Sequence, residues 1–337
     1  MVLNHKWKGL ALFGTVALAV TGLALTASAA PIPKDTVLTT YADNNGPAGD
    51  PQIVMLQKDM DPVAFATVDP GTDRAWLAPL AFGPDGHLYL AMATNKGTLL
   101  DLTAGGDRSK DKPVASGIFP ELPHKIGGLA FDAEGNAYLS LSEPEDGSLK
   151  GTLYPISRVE LKTGKVSQLK ATFNAAKGLT VRPDANKNEI LYIAEENTGR
   201  VLTYNLTDDK LDDKPLATGF PPITDHGMAA LAFDPRGHLF VAWRMDPNDN
   251  TTGAIFDITN GGDFSDFTKT KPILLASAFT TDVNGMAFDS KNNLYMGGDN
   301  HFMFVSPFDA SKGTFGEFVQ YANDNGGGDC ETVAIAP

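Results

Sequence analysis

One short phrase recurs along this chain and fixes most of what it can become. Residues 231–244 read LAFDPRGHLFVAWR: an apolar run, a Pro-Arg-Gly turn and a second apolar run. Gly237 supplies the positive φ that such a turn needs. Residues 239–243 are rich in β-formers and return as a strand, so the phrase is a hairpin. It recurs at residues 80–89 and 129–138, and more loosely at 179–183 with a longer turn before residue 190. It returns at 286–289, with Asn292-Asn293 in the turn, and begins again at 333–337. Asn is the next most tolerant residue after Gly for a left-handed position.

The six starts, at 80, 129, 179, 231, 286 and 333, are 49, 50, 52, 55 and 47 residues apart. A second pair of strands fills each period. Residues 99–103 lead through Gly105-Gly106-Asp107 to 112–115, and residues 255–259 lead through Gly261-Gly262-Asp263 to 271–274. Both Gly-Gly-Asp turns read as strand connectors. Four short antiparallel strands per period, with no amphipathic helix between them, read as propeller blades; solenoid repeats are usually shorter. An all-β propeller must close, since an open edge invites aggregation. Residues 333–337 supply an innermost strand, and residues 36–41, 53–57 and 63–68 supply three more, giving six four-stranded blades sealed by the two termini. The likeness of residues 41–46 to 321–326 leaves seven blades as the alternative.

The first residues carry Lys6 and Lys8, then an apolar run over 10–25 and the small residues Ala27-Ser28-Ala29. This is the pattern of a secretory signal over residues 1–29, leaving a single domain over 30–337 that is secreted or periplasmic. The run is short for a membrane span, and no span is expected after cleavage. The formal charge is −14, and −16 without the two lysines of that segment. Such an acidic surface disfavours phosphate backbones and anionic lipid, so nucleic acid is not an expected partner. With one cysteine, Cys330, no internal disulfide forms, and the core of the expected monomer must hold by burial alone.

The pattern G-[LM]-A-F-D-x-x-G-[NH]-L-[YF] resembles that of NHL-repeat propellers and of the related gluconolactonase/senescence-marker (SGL-type) propellers. Residues 191–201, LYIAEENTGRV, are similar to an NHL blade, and the resemblance covers about residues 36–337. It implies a ligand face built from the loops entering each innermost strand and the loops after each second strand. His87 and His238 fall in the hairpin turns of the opposite face, where exposed turn residues are expected. The ligand-face candidates are Lys177, Glu196, His226, Arg244, Asp282, Asp299 and His301. Carboxylates with a few His and Lys at a channel mouth suit a cation or a polyol, or an acid–base pair.

The SGL-type resemblance further implies a divalent cation such as calcium or zinc on oxygen ligands, polarising a lactone carbonyl and activating water. Asn284, before Gly285, and Glu331 match the family's ligand positions; Ala78, Gly127, Lys177 and Ala229 at the other equivalents do not. The expectation is therefore a propeller that binds a small molecule, a glycan or a protein at its channel mouth. The alternative is a metal-dependent lactonase or esterase. The sequence has no G-x-S-x-G elbow, H-E-x-x-H, P-loop or C-x-x-C. Residues 246–250 and 323–329 lack the full ligand register of a calcium loop and read as acidic turns.

Overall fold

A computed structural model describes residues 31–43, 52–68, 79–120, 126–142, 151–220, 228–246, 249–266, 269–270, 272–276, 283–298, 304–309, 312, 314–316, 319–322 and 328–337. The signal-like segment lies outside the described residues, as do His226, Asp282, Asp299, His301 and Ala78. Six small sheets, mainly antiparallel, stand in a ring. Blade 1 runs outward through Leu80–Phe82, Leu88–Met92, Thr98–Asp101 and Ala115–Ser116. Blade 2 comprises Ile126–Phe131, Asn136–Leu141, Leu153–Glu160 and Lys165–Asn174. Blade 3 has Ala176–Pro183, Glu189–Glu195, Arg200–Asn205 and Ala217–Thr218. Blade 4 has Met228–Phe233, Leu239–Asp246, Asp249–Asp257 and Leu274–Ala276, and blade 5 has Val283–Phe288, Asn293–Gly298, Phe304–Asp309 and Val319–Gln320. Among the described residues the only helical element is the short turn Thr94–Lys96.

Blade 6 closes the ring as the sequence predicts. Its innermost strand, Gly328–Ile335, pairs with Val37–Asp43, with Leu38 opposite Ala334 and Val37 opposite Ile335. Gln52–Leu56 and Val63–Thr67 complete it. Innermost strands pack in cyclic order, and Gly328–Ile335 returns against Leu80–Phe82. The 41–46 likeness makes no seventh blade among the described residues: Tyr41 pairs with Gln52 and Cys330 inside blade 6, while Tyr321 follows the outer strand of blade 5.

The repeated Asp of the hairpin phrase has a structural task. Asp132 Oδ1 accepts the backbone N–H of Glu134 at 3.0 Å and of Asn136 at 2.8 Å. Its Oδ2 accepts Asn136 Nδ2 at 2.7 Å and the Tyr138 hydroxyl at 2.8 Å. Asp289 repeats this set with Lys291, Asn293 and Tyr295, and Asp234 takes Arg236 and His238. All three are buried. A buried carboxylate is stable when its lone pairs are filled this way. The two Gly-Gly-Asp segments do more than connect strands. Gly106–Asp107 pairs in parallel with Ala66 and Thr67 of blade 6, and Gly262–Asp263 with Ala217 and Thr218 of blade 3. Each staples one blade's outer region to the blade before it.

The core lies between blades. Between blades 3 and 4, the Phe220 ring stacks on Phe264 at 4.7 Å and meets Phe256 edge-on at 5.4 Å, against Trp243 and Val201. Burying one such side chain contributes about 1.5–3 kcal/mol, and this burial does the work a disulfide would do elsewhere.

The turn histidines sit where the sequence places them: His87 is exposed and His238 half-exposed. His87 Nδ1 lies 2.7 Å from Asp101 Oδ2, and this hydrogen bond raises the imidazole pKa above its usual value. A raised folded-state pKa gives stability that is complete below the unfolded pKa and is lost as pH rises through the folded one. An NMR titration of His87 is expected to show a midpoint above about 6.5 that falls in Asp101→Asn. An unchanged midpoint in the variant contradicts the assignment.

Candidate functional site

Five of the innermost strands, those of blades 2 to 6, share one irregularity at the end where they begin, here the head face. In blade 3, Ala176 faces Glu195 and Gly178 faces Ala194, so Lys177 is an extra residue. In blade 4 the same step from Met228 to Ala230 leaves Ala229 extra, and in blade 5 the step from Val283 to Gly285 leaves Asn284 extra. Blade 2 sets Gly127 and Gly128 against Ser140, and blade 6 sets Glu331 and Thr332 against Thr40. A β-bulge leaves one residue unpaired and re-aims its side chain. In these five blades it sets one extra residue each at the same level of the ring. These are the positions that the sequence groups as equivalent. Crowding at this level explains the adjacent glycines: a Cβ on Gly285 would lie 2.7 Å from Thr332 Cα of the next blade.

The bulges of blades 3 and 5 meet. Lys177 Nζ donates to Asn284 Oδ1 at 3.3 Å, across 107 residues of sequence. The same ammonium lies 3.6 Å from Glu196 Oε1, and both side chains of that pair are only 8% exposed. Glu196 is set in the loop after the second strand of blade 3, where its backbone N–H donates to Ala175 O at 3.0 Å. The mouth therefore holds a buried ammonium, a buried carboxylate and a half-buried amide, brought from two blades. A buried ion pair of this kind is weak support for stability and is better explained as part of a polar site.

The structure separates Glu196 from the residue beside it in the sequence. Glu195 is buried like its neighbour, but it is consumed by structure: Arg200 Nη2 at 2.6 Å, Thr198 Oγ1 at 2.7 Å and the Asn174 N–H at 2.9 Å. Arg244 lies in the second strand of blade 4 opposite Gly253, and Glu331 lies in the blade 6 bulge. Sequence reasoning missed the hydroxyl pair beside Glu331, where Thr40 Oγ1 and Thr332 Oγ1 lie 3.2 Å apart. The signal was available only as a Thr following the matched Glu. Among the described residues no group of three or more His, Cys, Asp or Glu is placed to hold a metal ion. Nor is any helix there long and apolar enough to cross a membrane.

Ring, closure and channel-mouth cluster define the class: the chain is a six-bladed β-propeller. No protein-family model matches it, and no curated protein sequence does. Among solved structures it is similar to a chain in a crystal structure of a nidogen/laminin complex. The TM-score is 0.55 at 13% identity, covering 90% of this chain and 98% of the other. At that identity the likeness is one of fold.

Proposed function

We propose that this chain is an exported, monomeric binding propeller related to the NHL and SGL-type proteins, and that it holds a polar group of a partner at the head-face channel mouth without catalysis. The observation that carries this reading is the Lys177 ammonium at Asn284 Oδ1. An ammonium beside one of the two matched ligand positions opposes a divalent cation. At a separation near 4 Å and an effective dielectric of about 20, a single charge pair is worth roughly 4 kcal/mol, and a divalent ion doubles that to roughly 8. Ammonium, carboxylate and amide together offer donors and acceptors to a polyol, a glycan or a polar protein loop. The neighbour of like fold comes from a crystal structure of a nidogen/laminin complex, which is consistent with a protein as the partner.

The second reading is an SGL-type hydrolase acting on a lactone or ester. It is favoured by Asn284 and Glu331 both standing at bulges. Melting in calcium, zinc and EDTA separates the two. The binding reading expects no metal-dependent rise, because a ligand stabilises only by mass action at a real site. A calcium-dependent rise abolished in Glu331→Gln, with lactone turnover, would overturn it. Binding to glycan or secreted-protein arrays that is lost in Asn284→Ala supports it.

A further inference from the structure

A second feature lies at the opposite end of the channel, on the turn face. An open cavity of ≈ 460 Å³ lies there, a volume typical of small-molecule sites. It is lined by the innermost strands of blades 3, 4, 5 and 6. Leu231, Phe233, Met286, Phe288 and Ile335 give it an apolar wall, and Arg182 gives it a cation.

Arg182 is a departure from the repeat. Counted from the head-face bulge, it stands level with Asp132, Asp234 and Asp289 of blades 2, 4 and 5. Blade 3 runs two residues further, to Asp184, before it turns. Asp184 then does there what Asp132 does in blade 2, accepting the N–H groups of Asn186 and Asn188 at 2.8 Å. The extension removes the turn aspartate from this level and installs a guanidinium. Its Cζ sits 5.0 Å from the centre of the Phe233 ring, and Tyr192 meets that ring edge-on. On the other side is the blade 4 turn, where a Cβ at Gly237 would come within 2.6 Å of Arg182 Nη2. The absent side chain at Gly237 is what lets the guanidinium lie there.

A stacked guanidinium keeps its N–H edge free for a planar anion. Among the described residues Arg182 has no carboxylate within ion-pair distance and no hydrogen-bond acceptor. Two acids of the neighbouring turns are committed: Asp234, which also lines the cavity, to Arg236 at 3.0 and 2.8 Å, and Asp184 to its own turn. We propose that this cavity binds a small organic carboxylate, its acid group on Arg182 and its apolar body against Met286, Phe288 and Ile335. The site is independent of the head-face reading.

Methyl-labelled methionine NMR tests it, with benzoate as probe and benzamide as its uncharged control. The Met286 methyl, assigned by Met286→Leu, is expected to shift saturably with benzoate and about tenfold or more weakly with benzamide. Arg182→Met is expected to remove that preference, and Arg182→Lys, which keeps the charge but loses the planar fork, to retain part of it. Asn284→Ala, on the other face, leaves the response intact. Equal responses to the two probes, no response of Met286, or a preference that survives Arg182→Met overturns the proposal. If Arg182→Met does not fold, the benzoate and benzamide comparison on wild type decides alone.

Discussion

Asp132→Ala is expected to lower the unfolding free energy by about 3–4 kcal/mol, near the top of the range for single substitutions. The carboxylate is 5% exposed and accepts four hydrogen bonds. Its loss strands the Asn136 amide and the Tyr138 hydroxyl, both buried. Each buried donor left without a partner costs about 1–3 kcal/mol. Tyr138 is also one of the largest fully buried side chains, packed against Phe173 and Leu191, so it cannot swing out to water. The melting temperature should fall by on the order of 10 °C. Asp184→Ala removes a comparable turn set at a half-exposed position, where water replaces the lost acceptor, and should cost about 1 kcal/mol. Urea denaturation of both variants measures the difference. Equal small losses would show that the turn aspartates do not hold the hairpins.

Lys177→Met is expected to cost about 3–5 kcal/mol, because it removes the ammonium that faces the buried Glu196 carboxylate. Adding Glu196→Leu should recover most of that loss, since replacing both members of a buried pair by apolar groups is often neutral. The pair of variants thus distinguishes a polar site maintained at some expense of stability from an essential strut. A double variant as unstable as Lys177→Met alone contradicts this account of the pair.

Much of the fold is legible in the sequence because the hairpin phrase is repeated with little decay. Blade number, the mixed blade 6 and the placing of His87 and His238 on the turn face all follow from it. What is not legible has physical causes. A turn aspartate looks like any polar loop residue until Tyr138 and Asn136 are seen to donate to it. Glu195 and Glu196 are adjacent and alike; only the position of Arg200 shows that one is structural. The bulges leave no mark in composition, yet they decide that Lys177, Ala229 and Asn284 occupy one level. Lys177 reads as a mismatch at a metal-ligand position and Asn284 as a match. That the two touch requires the ring to be closed. Arg182 reads as part of a loose copy, because the two-residue extension that carries the turn past it is visible only in the pairing of blade 3.

A double-mutant cycle of Lys177→Met with Asn284→Ala tests the meeting of blades 3 and 5 most directly. The two residues share no strand or blade, so they can couple only through the channel. The expected interaction energy is about 1 kcal/mol, as for a charged hydrogen bond of this length. Effects that add to within about 0.3–0.5 kcal/mol would mean that the two side chains do not meet and that no head-face site exists as described.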